Sequence, residues 1–164
     1  MKLALISVTR YGGWLALSLL LCALCATPLA RVLARVRPGD ALRIPKIRRA
    51  LGISAACAAL GHALFSLTVI DVSLSLLWSW PHLRAGLLAA AVLCALVITS
   101  FPAAVRRLHL HAWKELHRLA YIAALLALAH VLLAPFSSHR LVLTLFACTL
   151  LFGLARFLPN KTKR

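Results

Sequence analysis

Acidic side chains are nearly missing from this sequence: three Asp or Glu in 164 residues, against nineteen Lys or Arg and a net charge of +16. Asp40, Asp71 and Glu115 stand far apart, so no pair of carboxylates at helical spacing exists to run acid and base chemistry. A glycine-rich phosphate loop is missing too, and hydride chemistry has to come from a separate protein. Charged residues of both signs make up 13% of the chain and hydrophobic ones 63%, with a mean hydropathy of +0.93. That balance excludes a disordered chain and an ordinary soluble domain. Cys22, Cys25, Cys57, Cys94 and Cys148 all fall inside apolar segments. The Cys22 to Cys25 CxxC has no companion pair, which leaves a zinc site or a disulfide framework without support.

What the sequence has instead is a series of apolar runs, each near the roughly 20 residues that cross a hydrocarbon core of about 30 Å. Five spans are predicted, at about 12–34, 50–70, 84–101, 118–135 and 140–158. The fold class is an all-α integral membrane helical bundle, a single domain over 1–164. Basic residues sit between the runs rather than in a stripe interleaved with aromatics. This argues against nucleic acid and for topology set by the positive-inside rule, with membrane lipid headgroups as the counter-charge. Arg31, Arg35, Arg37, Arg43, Lys46, Arg48 and Arg49 flank a Pro38-Gly39-Asp40 turn between the first two spans. Placing that loop in the cytoplasm leaves only Lys2, Arg10, Arg84 and Arg140 outside, with an outside N-terminus and an inside C-terminus. A cleaved signal peptide over residues 1–30 is the competing reading of the first run, but Arg10 and Gly12-Gly13 interrupt its approach and no clean cleavage site follows. Trp78 and Trp80, in the longest outer loop, suit an interfacial belt or a partner's docking site.

An ionisable side chain inside a span is costly enough to be a functional candidate, and the chain offers His62, His117 and His130. His62 lies fourteen residues past Arg48 and His130 thirteen past His117. Those separations correspond to about 21 and 20 Å of helix rise, so both histidines should sit at one depth in the outer half of the membrane. Two neutral imidazoles at matched depth suit a six-coordinate b-type haem, one nitrogen to each face of the iron. A hydrogen-bonded histidine pair and a proton relay are the other readings of the same spacing. Ala55, Ala58, Ala59 and Gly61, with Ala123, Ala124, Ala127 and Ala129, leave room for a flat cofactor and equally for close helix packing. His117 falls about 140° around an ideal helix from His130, so both can face one haem stack only if the helix is irregular. It is left with a second haem, a propionate or flavin contact, or an interfacial position. His109 and His111 are loop candidates, whereas His82 and His139 are expected to be solvated at the outer face, where Arg84 and Arg140 offer further cations to propionates.

Several short motifs occur in a telling order: Thr27-Pro28-Leu29-Ala30-Arg31 closing the first span, Arg48-Arg49-Ala50-Leu51-Gly52 opening the second, and His62 within it. They continue with Thr99-Ser100, Trp113, Leu116-His117, Tyr121 and His130. Together, over about residues 13 to 135, they resemble the MsrQ (YedZ) haem-binding membrane subunits of the ferric-reductase-like transmembrane superfamily.

The resemblance implies a b-haem electron conduit of the bacterial inner membrane. It would take electrons from a cytoplasmic flavin reductase or the quinol pool and deliver them to a periplasmic molybdopterin enzyme, MsrP, which reduces methionine sulfoxide in oxidised proteins. By the same resemblance His62 and His130 are the axial ligands of the haem iron and His117 is the inner histidine. One haem or two would be held, with flavin mononucleotide (FMN) an occasional further cofactor. Members of the family usually carry a further N-terminal span, which Met1 to Gly13 does not supply. Two rival expectations are a conduit that reduces external ferric iron and a haem-free membrane scaffold or assembly protein.

Overall fold

A computed structural model of the chain describes residues 2–36, 39, 42–69, 73–135 and 139–154, which form helices and their connections with no strand among them. The helices are α1 (Lys2–Val36), α2 (Ile44–Val69), α3 (Leu74–Ser79), α4 (Pro81–Ile98), α5 (Pro102–Leu108), α6 (Leu110–Leu116), α7 (Leu119–Leu133) and α8 (His139–Leu154). Among the described residues four stretches are long and apolar enough to cross a membrane: Ile6–Ala34, Ile44–Thr68, Pro81–Ile98 and His111–Leu133. The all-α, multi-pass architecture expected from the apolar runs is the one observed. The fifth predicted span is described only in part. Its described part, α8, has 16 residues, which rise about 24 Å and fall short of a core of about 30 Å. Residues 155–158 of that span, and the basic tail, lie outside the described residues.

Element ends moved for identifiable reasons. α1 begins ten residues before the predicted start, carrying Gly12 and Gly13 inside the helix. Each glycine costs up to about 1 kcal/mol against alanine there, but the helix is held by packing: Leu17, Leu20, Leu21 and Leu24 are all buried in the core. This run is therefore an integral member of the bundle. α2 starts at Ile44, so Lys46, Arg48 and Arg49 ride on its first turns rather than in a loop. The expected Pro38-Gly39-Asp40 turn lies outside the described residues apart from Gly39. α4 starts at Pro81, three residues early, because proline lacks only an N–H that the first turn does not use. The outer loop contains α3, whose N-cap Ser73 Oγ accepts from the Leu76 N–H at 3.3 Å.

The four long helices close on themselves. α1 packs along α2, α2 on α4, α4 on α7 and α7 back on α1, while α8 rests against α1 and α7. Their shared core joins the α1 leucines to Ala55 and Ala56 of α2, Leu93 of α4, Ala123, Ala124 and Leu128 of α7 and Val142 of α8. The small residues let backbones approach closely, which is how helices associate in lipid. On the outside, Leu15, Leu64, Leu88 and Leu125 are each more than half exposed, as a surface facing acyl chains requires.

Candidate functional site

His62, in the second half of α2, and His130, near the end of α7, meet with ring centroids 6.1 Å apart and ring planes at 70°. Their adjacency agrees with the common depth obtained from helix rise. Both rings are half-buried, and each is tethered through Nδ1. His62 Nδ1 lies 2.9 Å from the Thr9 carbonyl oxygen on α1, and His130 Nδ1 lies 2.6 Å from the His82 carbonyl oxygen on α4. A carbonyl can only accept, so Nδ1 carries the proton in both rings and, in the neutral imidazole, Nε2 keeps its lone pair. That is the tautomer in which histidines bind a metal through Nε2.

The donor set fits a cofactor that brings its own equatorial ligands. Among the described residues no group of three or more His, Cys, Asp or Glu side chains could hold a metal ion. The two rings come from different helices with centroids 6.1 Å apart, and each keeps Nε2 as the nitrogen that would bind the iron. The small residues named from the sequence divide into two groups. Ala55 and Ala123 are fully buried between helices, whereas Gly61 opens on empty space and makes no room beside His62. The glycines that do face the rings are Gly13 on α1 and Gly86 on α4.

His82 is not the solvated residue expected. Its ring is half-buried, 5.9 Å from the His130 ring and 5.4 Å from the Trp80 ring, because α4 starts early enough to bring its first turn against the end of α7. Trp78, by contrast, is 72% exposed. His139 has no described side chain.

A second cluster forms at the opposite end of the bundle, and the motif residues converge there. The carbonyls that end α4 have no partners within their own helix, and other segments supply them: Arg49 Nη2 donates to the Ser100 oxygen at 2.7 Å and Trp113 Nε1 to the Thr99 oxygen at 3.0 Å. Trp113 also packs on His117, with centroids 4.2 Å apart. His117 Nε2 is buried with no hydrogen-bond partner among the described residues, and Arg48 is close enough to act on the ring electrostatically. The irregularity that His117 needed is present. Residues 117–118 form a turn between α6 and α7, where Arg118, Ala120 and Tyr121 N–H groups bond the carbonyls three residues back. Such bonds advance about 120° per residue instead of 100°, which narrows the offset between His117 and His130. His109 and His111 are exposed and join neither cluster. Glu115 is taken up by an exposed pair with Arg118 at 2.5 Å. The five cysteines are free, with Cys22, Cys57 and Cys148 exposed and Cys25 and Cys94 half-buried.

The pattern of ferric reductase like transmembrane components matches residues 12–128, a stretch that contains His62 and the cluster about His117 and ends two residues before His130. The chain belongs to that family. Within it, the chain is 36% identical over 152 residues to the protein-methionine-sulfoxide reductase haem-binding subunit MsrQ of Deinococcus radiodurans, an alignment covering 90% of this chain and 72% of that protein. It is 35% identical to the MsrQ subunit of Cronobacter sakazakii and 32% identical to that of Caulobacter vibrioides, over 76% and 81% of this chain. The chain spans 62% of the length of each of those two family members. The resemblance drawn from the motifs thus holds over most of the sequence. No solved structure matches the chain significantly.

Sequence reading missed the main-chain partners of the two histidines and the glycines beside them. Thr9 and His82 act through carbonyls, which every residue possesses, so side-chain identity carries no signal. Gly13 and Gly86 do leave one, since glycine inside an apolar helix calls for a packing reason.

Proposed function

We propose that this chain is a haem b-binding electron-transfer subunit of the bacterial inner membrane, with His62 and His130 as axial ligands of the haem iron. The observation that carries the reading is the tethered pair: two imidazoles from different helices, ring centres 6.1 Å apart, each with Nδ1 engaged by a carbonyl. A haem held there supplies one-electron transfer inside an apolar bundle. The chain's own residues fix the ligating tautomer, keep the rings at one depth and exclude water through the buried core about Ala55, Ala123 and Leu128. With only three Asp or Glu in the sequence, the chain supplies position and dielectric rather than acid and base catalysis.

The name of the similar subunits supports a place in methionine sulfoxide repair. On this reading, electrons enter from a cytoplasmic flavin reductase or a quinol and leave to a periplasmic molybdopterin reductase of the MsrP type. Reduction of a sulfoxide to the thioether and water takes two electrons and two protons, so the subunit passes two electrons per product, and the protons are taken up at the partner's site. The end bearing Arg49 and Trp113 faces the cytoplasm, because Arg43, Lys46, Arg48, Arg49, Arg106, Arg107, Lys114 and Arg118 gather there and only Lys2, Arg10, Arg84 and Arg140 lie toward the other among the described residues. On this reading the N-terminus is outside and the C-terminus inside. His117, with its buried unpartnered Nε2, would serve the entry side by holding a second haem or contacting FMN.

The family match favours one second reading, a conduit to external ferric iron. Deleting the gene separates the two, since loss of periplasmic methionine sulfoxide reduction supports the first reading and loss of ferric reduction alone supports the second. The direct test is a reduced-minus-oxidised visible spectrum of detergent-purified protein, with haem counted per chain. A b-type signal at one or two haems per chain is expected. Colourless protein after haem supplementation overturns the reading in favour of a haem-free scaffold.

A further inference from the structure

The contacts on the two histidines repeat at a fixed interval. His62 is bonded by the Thr9 carbonyl, and four residues further along the same helix Gly13 lies against the same ring. His130 is bonded by the His82 carbonyl, and four residues further along that helix Gly86 lies against the ring. A Cβ built on Gly13 would stand 3.2 Å from His62 Cε1 and 3.5 Å from both Nδ1 and Nε2. One on Gly86 would stand 2.7 Å from His130 Nδ1 and 3.0 Å from Cε1, closer than an alanine tolerates.

The interval has a physical reason. In an α-helix the carbonyl of residue i already accepts from the N–H of residue i+4, and the side chain of i+4 sits on the same face, one turn above. A second donor arriving from a neighbouring helix must reach the oxygen's other lone pair past that side chain. With glycine at i+4 the approach is open. Other helical glycines serve as a contrast: Gly52 and Gly61 meet nothing within 4 Å, and Gly12 meets His62 only at ordinary contact distances, 3.8 Å to Cβ and 4.0 Å to Nδ1.

We infer that Gly13 and Gly86 are positioning residues, each uncovering the carbonyl four residues before it so that a facing histidine is held by Nδ1 with Nε2 left free. Their value to the haem rests on the function proposed above, while the hydrogen-bond role stands on geometry alone. Alanine at 86 has to push the His130 ring off its acceptor. At 13 it demands a shift of a few tenths of an ångström, so the effect is smaller.

The experiment compares full-length Gly86→Ala, Gly13→Ala and Gly61→Ala with wild type in detergent, after circular dichroism has shown equal helix content. Two readouts are taken: haem per chain with the low-spin ferric electron paramagnetic resonance spectrum, and 15N shifts of labelled histidines in haem-free protein. Gly86→Ala is expected to retain haem about tenfold or more weakly, or to shift the g-values. Its 15N spectrum is expected to lose the preference for protonated Nδ1. Gly13→Ala moves both readouts in the same direction by less, and it carries the test if Gly86→Ala does not fold. Gly61→Ala matches wild type. Unchanged 15N shifts in Gly86→Ala, or a wild-type haem spectrum in it, overturn the inference. Wild type that binds no haem overturns the proposed cofactor instead, and the 15N comparison still decides the role of the glycines.

Discussion

His130 Nδ1 lies 2.6 Å from the carbonyl oxygen of His82, forty-eight residues earlier in the chain, and this bond ties the end of α7 to the first turn of α4. His62 repeats the arrangement against Thr9, across fifty-three residues. Each ring is thereby positioned by a helix other than its own. The pair is a property of four helices, α1, α2, α4 and α7, rather than of a local motif.

Removing either ring removes one of two ligands. His62→Ala and His130→Ala are each expected to lower haem per chain about tenfold or more, while membrane insertion stays normal because the apolar spans are untouched. Pyridine haemochrome quantification on membrane-extracted protein checks both halves. Wild-type haem in either variant would rule out the axial pair.

His117→Ala separates the two clusters. The b-type signal of the His62 and His130 pair should survive, and any second haem or bound flavin should be lost; the stoichiometry before and after substitution is the measurement. Loss of all haem would make His117 a ligand of the one site.

Trp113 bridges the Thr99 carbonyl and the His117 ring. Trp113→Phe keeps an aromatic face but loses the hydrogen bond, an expected cost of about 1 kcal/mol. Trp113→Ala loses the ring contact as well and should cost about 3 kcal/mol or more. Thermal unfolding in detergent orders the two, and a Trp113→Phe melting temperature equal to that of wild type would mean that the indole N–H contributes nothing.

Arg49 places a cation on the carbonyls that end α4. Because the contact is exposed, Arg49→Ala should cost only about 0.3–1 kcal/mol, with the loss shrinking as salt rises. Arg49→Lys should recover part of it. Unfolding followed at low and high ionic strength reads the difference.

The membrane spans were legible because the cost of placing charge in hydrocarbon is local: a run such as Leu119 to Leu133 announces itself without knowledge of its neighbours. The depth match of His62 and His130 was legible too, since helix rise is linear in residue number. Helix starts were not. α1 absorbs Gly12 and Gly13 because α2 packs against it, and α4 begins at Pro81 ahead of the apolar run that suggested its start. The half-burial of His82 escaped for a similar reason, as it follows from where α4 begins and from a contact with α7 that spacing along one helix does not encode.

Main-chain anchoring also decides which positions can drift over evolutionary time. Every side chain at Thr9 or His82 leaves the accepting oxygen in place, so substitution there spares the tether, although His82 has its own packing to lose. Gly13 and Gly86 carry no functional group, yet they are the positions that admit no replacement without moving a ring. Tolerance of the tether is thus the reverse of what side-chain chemistry would suggest, since it depends on the blank neighbours rather than on the polar side chains.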